Sequence, residues 1–352
     1  MTTIAAVRGV LPPHRYPQEQ LTEAFAELCG LTPRAAGVMR RLHANCGVGS
    51  RHLAVPIDGY AALDSFGAAN DAFIVHAVEL GAQAIIEALE AAGLRVGDVD
   101  VIVSTTVTGL AVPSLDARIA AGIGLRPDVK RLPLVGLGCV AGAAGVARLH
   151  DLLRGSPHGV GVLVSTELCS LTVQRNDSSA ANMVASGLFG DGAAAVVAVG
   201  DRHDLAESGP RVIATASHLY PNTERAMGWD VGASGLKVVL GAEVPELVQR
   251  HLADDVGAVL AGAGIAQSDV ARWICHPGGP KVILAVQDAL GLSRSDVQLT
   301  WDSLHEVGNL SSSSVLHVFA DTLKQRPALT GDAGVLMAMG PGFCSELVLL
   351  RW

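Results

Sequence analysis

The sequence AGLRVGDVDVIVST at residues 92–105 returns, about half a chain later, as AGIAQSDVARWICH at residues 263–276. Both copies run from an Ala-Gly pair through Asp-Val into a short apolar segment. Such a segment, bounded by turn residues, is typical of a strand that is buried on both faces. A helical pattern precedes the first copy, because Ala82–Ala92 has apolar residues at helical spacing and is followed by Gly93.

The repetition continues in the same order in each half of the chain. Three further pairs of similar segments follow: Gly122–Leu125 with Ala289–Leu292, Leu137–Ala141 with Val307–Ser311, and Gly161–Val164 with Gly334–Met337. Chance similarity between Ala-, Gly- and Val-rich segments is the alternative, but chance does not keep several elements in order. We therefore predict an α/β protein with buried parallel strands and a duplicated, five-layered α-β-α-β-α fold, with halves at residues 1–205 and 206–352.

The composition excludes several classes of protein. Of the 352 residues, 49% are apolar and 17% are charged, so the chain should bury a large core rather than remain disordered. The formal net charge is −9, and only 4% of the residues are aromatic. An acidic surface with few stacking rings argues against nucleic acid as the main ligand.

Apolar segments and cysteines predict where the protein resides. The N-terminal segment MTTIAAVRGVLPPHRYP has no long apolar run before its Pro-Pro pair, which argues against a signal peptide. Apolar runs such as Ala193–Val199 are far shorter than the roughly 20 residues of a membrane-spanning helix. The six cysteines form no CxxC pair and no Cys/His cluster of the kind that holds zinc. We expect a cytoplasmic protein without disulfides or metal, associated with neither membrane nor nucleic acid.

The duplication predicts that distant residues meet. Cys139 and Asn309 occupy matching positions, each after a glycine and before a helical segment, and His276 matches Thr105 at the carboxyl end of a strand. Ligands of open α/β sheets bind outside the carboxyl ends of the strands. We therefore expect Cys139, His276 and Asn309 to converge on one cavity.

Cys139 is the candidate nucleophile. It lies in LGCVAGAAG (137–145), whose small residues permit a sharp turn and a close approach of substrate before a helix-forming segment. The positive end of that helix would favour the thiolate, the form that takes an acyl group from a thioester. The alternative is a buried structural cysteine, the usual role of a free cysteine.

His276 and Asn309 supply a base and a hydrogen-bond donor. His276 stands where a strand stops at Pro-Gly-Gly-Pro (277–280), so its imidazole could pair with the Cys139 thiolate and later donate hydrogen bonds. A solvated loop histidine is the alternative. Asn309 taken alone is a helix N-cap, but here its side-chain amide could donate to a developing enolate oxygen.

Two glycine-rich turns and a basic segment are further candidates. FGDG (189–192) and GPGF (340–343) have neither a phosphate-loop lysine nor a GxGxxG pattern, so we interpret them as cavity walls. Arg40, Arg41 and Arg51 are either solvated surface residues or ligands of a nucleotide phosphate.

Together these segments resemble the type III polyketide synthases, the chalcone synthase superfamily on the thiolase fold. The motifs that carry this resemblance lie in the same order as in the family, with similar separations, and they span nearly the whole chain. The motifs that carry it are GCVAG (138–142), GLFGDGAA (187–194), HPGGPK (276–281), GNLSS (308–312) and GPGF (340–343). It implies a thiolase-like fold whose N-terminal half carries the nucleophilic cysteine and whose C-terminal half carries the histidine and the asparagine.

The resemblance also implies a reaction. Cys139 would hold an acyl starter taken from coenzyme A, and His276 and Asn309 would stabilise the enolate that forms when malonyl-CoA loses CO2. The enolate carbon would then attack the Cys139 thioester and extend the chain. No metal, flavin or nicotinamide is required, and acyl-CoA and malonyl-CoA are the substrates.

Residues of the substrate pocket follow from the same resemblance. Phe189 matches the gatekeeper phenylalanine between the coenzyme A tunnel and the cavity. Val238 falls where plant enzymes have a second, aromatic gatekeeper, which implies a wider cavity and a bulkier or longer starter. Cys169, Thr172 and Ser311 match positions that line the cavity.

The resemblance implies a homodimer and a coenzyme A site as well. Val112 matches a position that reaches across the dimer interface into the partner's cavity. Arg40, Arg41 and Arg51 are the candidates for coenzyme A binding, although no residue matches the family's lysines cleanly.

The starter is the least determined feature. ELCSL (167–171) and NMVAS (182–186) are most similar to bacterial synthases that make alkylpyrones or alkylresorcinols from fatty acyl starters, and we expect that activity. The Cys-Ser pair is also similar to bacterial tetrahydroxynaphthalene synthases, which start from malonyl-CoA. A ketoacyl-acyl-carrier-protein synthase III is another alternative, and a non-catalytic binding protein on a degenerate thiolase fold is the alternative outside enzymes.

Overall fold

The structure is a computed structural model that describes residues 1–175 and 177–352, which form thirteen strands and ten α-helices. The strands are β1 (Thr2–Val10), β2 (His14–Pro17), β3 (Ser50–Leu53), β4 (Val101–Thr106), β5 (Lys130–Val135), β6 (Val160–Leu168), β7 (Asp191–Gly200), β8 (Arg211–Leu219), β9 (Met227–Gly232), β10 (Gly235–Leu240), β11 (Val270–Cys275), β12 (Ala333–Gly340) and β13 (Cys344–Arg351). The helices are α1 (Gln18–Leu28), α2 (Pro33–Ala44), α3 (Phe66–Ala92), α4 (Leu115–Ile123), α5 (Ala141–Arg154), α6 (Ala180–Leu188), α7 (Val244–Gly262), α8 (Pro280–Leu290), α9 (Gln298–Val307) and α10 (Ser314–Gln325).

Nine of the strands form one sheet that consists of two equivalent halves. The order is β11-β12-β13-β8-β1-β7-β6-β4-β5, and the halves meet where β1 pairs with β8, with Thr2 opposite Val212. Counted outward from this seam, β1-β7-β6-β4 on one side corresponds to β8-β13-β12-β11 on the other. The two apolar segments that repeat in the sequence are β4 and β11, so they occupy equivalent places and the predicted duplication is present.

The sheet is mixed, whereas the sequence analysis predicted parallel strands. β4 runs parallel to β5 and β6, and β11 runs parallel to β12, but β7 and β13 run antiparallel to their neighbours. Apolar runs are typical of parallel strands because helices cover both faces. Here helices cover the antiparallel strands as well, so β7 is buried along its whole length and is just as apolar.

Helices complete the five layers. α5 and α10 lie between the two half-sheets, and each contacts strands from both halves. α3 covers the outer face of β1, β6 and β7, while α7 packs on β8 and β13 with α8 alongside it. Separate apolar cores therefore fill the centre and the two outer interfaces.

The second half of the fold is not an exact copy of the first. The edge strand β5 follows β4 and α4 in the first half, whereas α9 occupies the corresponding part of the second half. α9 packs against β3, α8, α10 and β11 instead of extending the sheet. This difference places the residue after α9, Gly308, at the start of the segment that leads to α10.

α3 is longer and more apolar than the sequence analysis recognised. In the described part of the chain it is the helix whose length and composition would suffice to cross a membrane. The search for uninterrupted apolar runs missed it because polar residues such as Asp71 and Glu79 interrupt the run. Its apolar residues Phe73, Ala77 and Ala84 are fully buried in the core that α3 forms with the sheet, which accounts for this composition.

α5 and α10 cross closely at the centre of the molecule, and Gly142 lies at the contact. A Cβ atom at position 142 would collide with the carbonyl oxygen of Ser312 and would lie 2.7 Å from Cγ1 of Val315. Only glycine permits this approach of one backbone to another. The 3-10 turns that precede the two helices, Gly138–Val140 and Ser311–Ser313, are consequently in contact.

Gly142→Ala should lower the free energy of unfolding by about 1–3 kcal/mol, because the added methyl group overpacks this crossing. Urea unfolding followed by circular dichroism measures the loss. Gly122→Ala is the matched control, since Gly122 lies in α4 with open space around it. Alanine there should be neutral or stabilise by up to about 1 kcal/mol. Equal stability of the two variants would contradict the close crossing.

Candidate active site

One cavity collects the three candidate catalytic residues. Cys139 lies in the turn before α5, His276 directly follows β11, and Asn309 lies between α9 and α10. All three line a cavity of about 80 Å³. The walls of this cavity are mostly apolar side chains, among them Phe189, Met227, Trp229, Val238, Leu240 and Phe343. Apolar walls keep water away, so hydrogen bonds and charges act more strongly inside the cavity than in solution.

The Cys139 thiol is a protonated group in this cavity. Burial raises its pKa to about 12, and the nearby Glu167 carboxylate adds to the rise, against a hydrogen bond to Ser311 that lowers the pKa. The sulfur lies 3.8 Å from the Ser311 hydroxyl oxygen. The sequence analysis expected the helix end to favour the thiolate, but the loss of water around the sulfur outweighs that effect.

The His276 imidazole is buried and has no hydrogen-bond partner on either ring nitrogen among the residues that the structure describes. Burial lowers its pKa to about 3, so the ring is neutral at pH 7 and is free to accept a proton. Its backbone N–H donates to the Met337 carbonyl at 3.0 Å, which fixes the residue at the end of β11. Taken separately, the two shifts favour a neutral thiol and a neutral imidazole, and the ion pair that the sequence analysis expected between them stays a prediction.

The Asn309 side chain is oriented so that its amide N–H groups face the cavity. Its Oδ1 accepts a hydrogen bond of 2.8 Å from the backbone N–H of Ser311, and the Ser314 hydroxyl lies 3.4 Å from the same oxygen. Its Nδ2 makes a long contact, 3.4 Å, with the Gly278 carbonyl, and the side chain also lies close enough to the Cys139 thiol to lower the pKa of that group. Because the acceptor side of the amide is already used, the donor side remains for a substrate oxygen.

Glu167 is a buried acid beside the cavity that the sequence analysis quoted but did not interpret. It is the last residue but one of β6 and is 0% exposed. It accepts hydrogen bonds from Ser311, Ser312, Thr106, Thr108 and the backbone N–H of Val107. Burial raises the pKa of this carboxyl. The available signal was a lone acidic residue in an otherwise apolar strand, VGVLVSTEL.

Ser311 connects Cys139 to Glu167 and adopts an unusual backbone conformation. Its φ of 50° lies in the left-handed region that non-glycine residues rarely adopt. The hydroxyl donates to Glu167 at 3.2 Å and accepts the weak contact from the Cys139 thiol. Ser311 also lines the cavity, where the resemblance placed it.

Phe189 and Val238, the gatekeeper positions that the resemblance implies, line the cavity too. Val238 lies directly opposite Trp229 in the β9–β10 ladder, and the Trp229 side chain lines the same cavity. The wider cavity expected from the valine at position 238 stays a prediction.

Cys169, Thr172 and Val112 lie outside this cavity. Cys169 and Thr172 line a smaller adjoining space of about 10 Å³, which Phe189 and Val238 also border. Thr172 donates to the Cys169 carbonyl at 2.7 Å. Val112 is 95% exposed on the loop after β4, so it does not contribute to the cavity of its own chain.

The three candidate arginines differ sharply in their surroundings. Arg51 is 1% exposed and is hydrogen-bonded inside the protein, so its assignment to a coenzyme A phosphate was wrong: the guanidinium does not reach the surface. Arg40 is exposed on α2 but already forms a two-point ion pair with Glu23 at 2.6 Å. Arg41 is exposed in the last turn of α2 and stays a candidate.

Comparisons with known proteins identify the family. Sequence models of the chalcone and stilbene synthases match residues 20–202 with the N-terminal domain and residues 211–352 with the C-terminal domain. The chain belongs to this family, the type III polyketide synthases. The 1,3,6,8-tetrahydroxynaphthalene synthase of Streptomyces peucetius subsp. caesius is 54% identical to it, over 100% of this chain and 93% of that protein. A putative chalcone synthase of Bacillus subtilis (strain 168) is 31% identical, over 100% of this chain and 99% of that protein.

Solved structures confirm the predicted thiolase-like fold of this polyketide synthase. The 1,3,6,8-tetrahydroxynaphthalene synthase of Streptomyces coelicolor A3(2), a bacterial type III polyketide synthase, is similar with a TM-score of 0.92 and 29% identity over 99% of both chains. PKS-I from the brown alga Ectocarpus siliculosus is similar with a TM-score of 0.93 and 25% identity, over 99% of this chain and 98% of that chain.

Alkylation of Cys139 by iodoacetamide in the free synthase should rise about tenfold per pH unit from pH 6 to pH 9, because only the thiolate reacts and the thiol pKa lies far above this range. Peptide mass spectrometry follows the modified cysteine, and Cys139→Ser serves as the control that removes the signal. His276→Gln should leave this slope unchanged. A plateau near pH 7 would show instead that His276 holds Cys139 as a thiolate in the empty site.

Proposed function

We propose that this polyketide synthase joins malonyl units by decarboxylative condensation on Cys139, with His276 and Asn309 at the reacting atoms. The observation that carries this proposal is a buried imidazole with two unpartnered nitrogens in the same cavity as a thiol and an outward-facing amide. Unpartnered polar groups in an apolar cavity are costly to the folded state and are typical of groups that bond to a substrate. A degenerate, non-catalytic binding protein has no need for this combination.

The first step loads the starter. The Cys139 sulfur attacks the thioester carbonyl of the substrate while its proton passes to the neutral His276. The bond to the coenzyme A sulfur breaks, and the departing thiolate takes that proton, which returns His276 to its starting state. The starter is now a thioester of Cys139, and free coenzyme A has left.

The second step makes the carbon–carbon bond. The bond to the terminal carboxylate of malonyl-CoA breaks, CO2 departs, and the electron pair becomes an enolate. Its oxygen accepts hydrogen bonds from the Asn309 amide and the His276 N–H, which act strongly because the apolar walls exclude water. The enolate carbon attacks the Cys139 thioester and the Cys139 thiolate leaves, so that the extended chain is a thioester of coenzyme A. The Cys139 thiolate then attacks the carbonyl of that thioester, the bond to the coenzyme A sulfur breaks, and coenzyme A leaves and takes up a proton, which returns the extended chain to Cys139.

Malonyl-CoA is also the starter in this proposal, and a tetrahydroxynaphthalene is the product. The sequence analysis favoured a fatty acyl starter, but the 54% identity to a 1,3,6,8-tetrahydroxynaphthalene synthase and the presence of Trp229 beside Val238 in the cavity lining favour the alternative. The atoms balance: five malonyl-CoA molecules give one tetrahydroxynaphthalene, five CO2, five coenzyme A and one water. The five two-carbon units account for all ten carbons of the rings.

A homodimer that works in the cytoplasm completes the proposal. Val112 is 95%, Val135 59% and Leu110 46% exposed. Leu110 and Val112 lie on one loop, and apolar side chains exposed this strongly support an interface with a second copy of this chain. The position of Val112 outside its own cavity agrees with a contact to the partner.

The wild-type synthase, given malonyl-CoA alone and no carrier protein, should release CO2 and form a ten-carbon aromatic product. Asn309→Ala should lower CO2 release about 10²–10³-fold, because it removes one donor to the enolate oxygen. Radiolabelled malonyl-CoA and mass spectrometry measure both quantities. Asn45→Ala, at an exposed asparagine outside the cavity, is the control that should retain activity.

Three results would contradict this assignment in different ways. Unchanged CO2 release by Asn309→Ala would remove that residue from the mechanism. A need for a fatty acyl-CoA before any product forms would restore the alkylpyrone or alkylresorcinol activity. A single condensation that requires a carrier protein would indicate a ketoacyl-acyl-carrier-protein synthase III.

Trp229→Ala should widen the cavity beside Val238 and allow acyl-CoA starters to be used. We expect kcat/KM to rise about fourfold for each methylene of the acyl chain that becomes buried, since burial of one CH2 stabilises by about 0.8 kcal/mol. A panel of acyl-CoA starters of increasing length measures the change. Val231→Ala, at the exposed tip of the same hairpin, should leave starter use unaltered, and an unaltered profile in Trp229→Ala would refute the role of the indole.

A further inference from the structure

Arg51 is a buried cation that forms no ion pair with the residues that the structure describes. It lies in β3 and is 1% exposed, and no carboxylate of the described residues lies within ion-pair distance of it. Its Nη2 has no hydrogen-bond partner there either. Burial lowers the pKa of the guanidinium to about 10, which still leaves it charged at pH 7. Apolar residues of similar volume often stabilise a core as well as buried charges do, so stability alone does not explain this side chain.

Two hydrogen bonds of Arg51 hold the segment Ser186–Phe189, which contains the gatekeeper position Phe189 and is called the gate below. Its Nη1 donates to the carbonyl oxygens of Ser186 at 2.6 Å and of Phe189 at 2.8 Å. Its Nε donates to Oε1 of Gln18 at 3.0 Å. The guanidinium therefore ties the end of α6 and the gate residue Phe189 to β3 and α1.

The gate is joined in turn to the catalytic amide through the backbone. The N–H of Asn309 donates to the Leu188 carbonyl at 2.9 Å, and the N–H of Gly190 donates to the Asn309 carbonyl at 2.9 Å. Phe189 and Asn309 thus form a parallel two-bond bridge. A shift of Phe189 would move the Asn309 backbone with it.

The stem of Arg51 packs against this bridge from the other side. Gly308 has φ +76°, and a Cβ atom there would lie 2.8 Å from the Leu188 carbonyl oxygen and 3.2 Å from Cγ of Arg51. Arg51 is therefore in contact with both strands of the bridge, through hydrogen bonds on the Phe189 side and through its methylene groups on the Asn309 side.

The side chains of Gln18 and His43 bond to backbone carbonyl groups near the end of α6 as well. Gln18 donates from Nε2 to the Gly187 carbonyl at 2.7 Å, and Nε2 of His43 lies 3.0 Å from the Met183 carbonyl. Burial lowers the pKa of His43 to about 4, so the ring is neutral at pH 7 and Nε2–H donates to that carbonyl. Segments before residue 54 thus anchor the last turn of α6, although they contribute no side chain to the catalytic cavity.

We propose that Arg51 is a positioning residue for the condensation, which holds Phe189 and Asn309 in register so that the amide N–H groups meet the enolate oxygen. This inference rests on the proposed function of Asn309. Arg51 does not touch the reacting atoms and acts through the Phe189–Asn309 bridge. A change at Arg51 should therefore affect CO2 release and starter choice together. It should leave the reactivity of Cys139 unchanged, because that residue lies in the other turn, before α5.

Arg51→Met and Arg51→Lys test the proposal. Two rates are measured on the same preparation of each variant, the release of CO2 from malonyl-CoA and the alkylation of Cys139 by iodoacetamide. Arg51→Met should lower CO2 release from malonyl-CoA about 10- to 100-fold, since a displacement of about 1 Å in a catalytic group costs on the order of 10²-fold. The iodoacetamide reaction at Cys139 should stay within about twofold of the wild type, because the turn before α5 is not bonded to Arg51. Arg51→Lys should restore part of the CO2 release, since it keeps a donor to the carbonyl oxygens.

Arg148→Met is the matched control for loss of stability. Arg148 pairs with the buried Glu346 at 2.8 Å and is remote from the gate, so its variant should lower the melting temperature without changing the ratio of CO2 release to alkylation. If Arg51→Met lowers both rates in proportion to the folded fraction, or releases CO2 like the wild type, the proposal is wrong. If Arg51→Met does not fold, Gln18→Met takes its place as the test, because it removes the acceptor of the Arg51 Nε hydrogen bond. Gln18→Met should lower CO2 release while alkylation of Cys139 stays unchanged. An unchanged ratio of CO2 release to alkylation would overturn the proposal.

Failure of the positioning role of Arg51 can be distinguished from failure of the proposed function. A wild-type protein that releases no CO2 from malonyl-CoA would refute the condensation itself, whatever the Arg51 variants do. A wild type that is active, with Asn309→Ala impaired and Arg51→Met unimpaired, would refute only the positioning role.

Discussion

The close crossing of α5 and α10 is the constraint on which the site depends. Each helix belongs to one half of the duplicated fold, and each is preceded by a turn that carries a functional side chain. Because Gly142 lets the α5 backbone touch the backbone at Ser312, the two turns meet, and Cys139 comes to the same cavity as Asn309. The duplicated sheets then supply His276 from the end of β11. A pseudo-twofold arrangement thus assembles one asymmetric site from two similar halves.

Loss of water governs the chemistry of that site. The same burial raises the pKa of the Cys139 thiol and lowers that of the His276 imidazole, so both groups are neutral before substrate arrives. In the proposed mechanism, proton transfer between them therefore accompanies the chemical step instead of preceding it. The unpartnered imidazole and the outward-facing amide of Asn309 are costly in the empty protein, and an enolate oxygen would satisfy both.

The walls of the cavity show how one position compensates for another. Val238 and its cross-strand neighbour Trp229 both line the cavity, so the size of the pocket depends on the hairpin and not on one residue. Phe189, on the other wall, is tied by its backbone to Asn309 and through Arg51 to the N-terminal segments. The proposed gate residue and the proposed enolate donor are therefore joined by backbone hydrogen bonds, and in this proposal substrate selection is linked to the position of the donor.

Much of this could be predicted from the sequence, since the order of repeated segments records the order of elements in a duplicated fold, and a glycine before each helix marks equivalent turns. That information suffices for the layers and for the convergence of Cys139, His276 and Asn309. It does not suffice for Glu167, Trp229 or the true surroundings of Arg51, whose partners come from segments far apart in the chain. Burial, cross-strand pairing and the resulting pKa shifts arise only when those segments pack, because desolvation depends on all the atoms around a group and not on its neighbours in sequence.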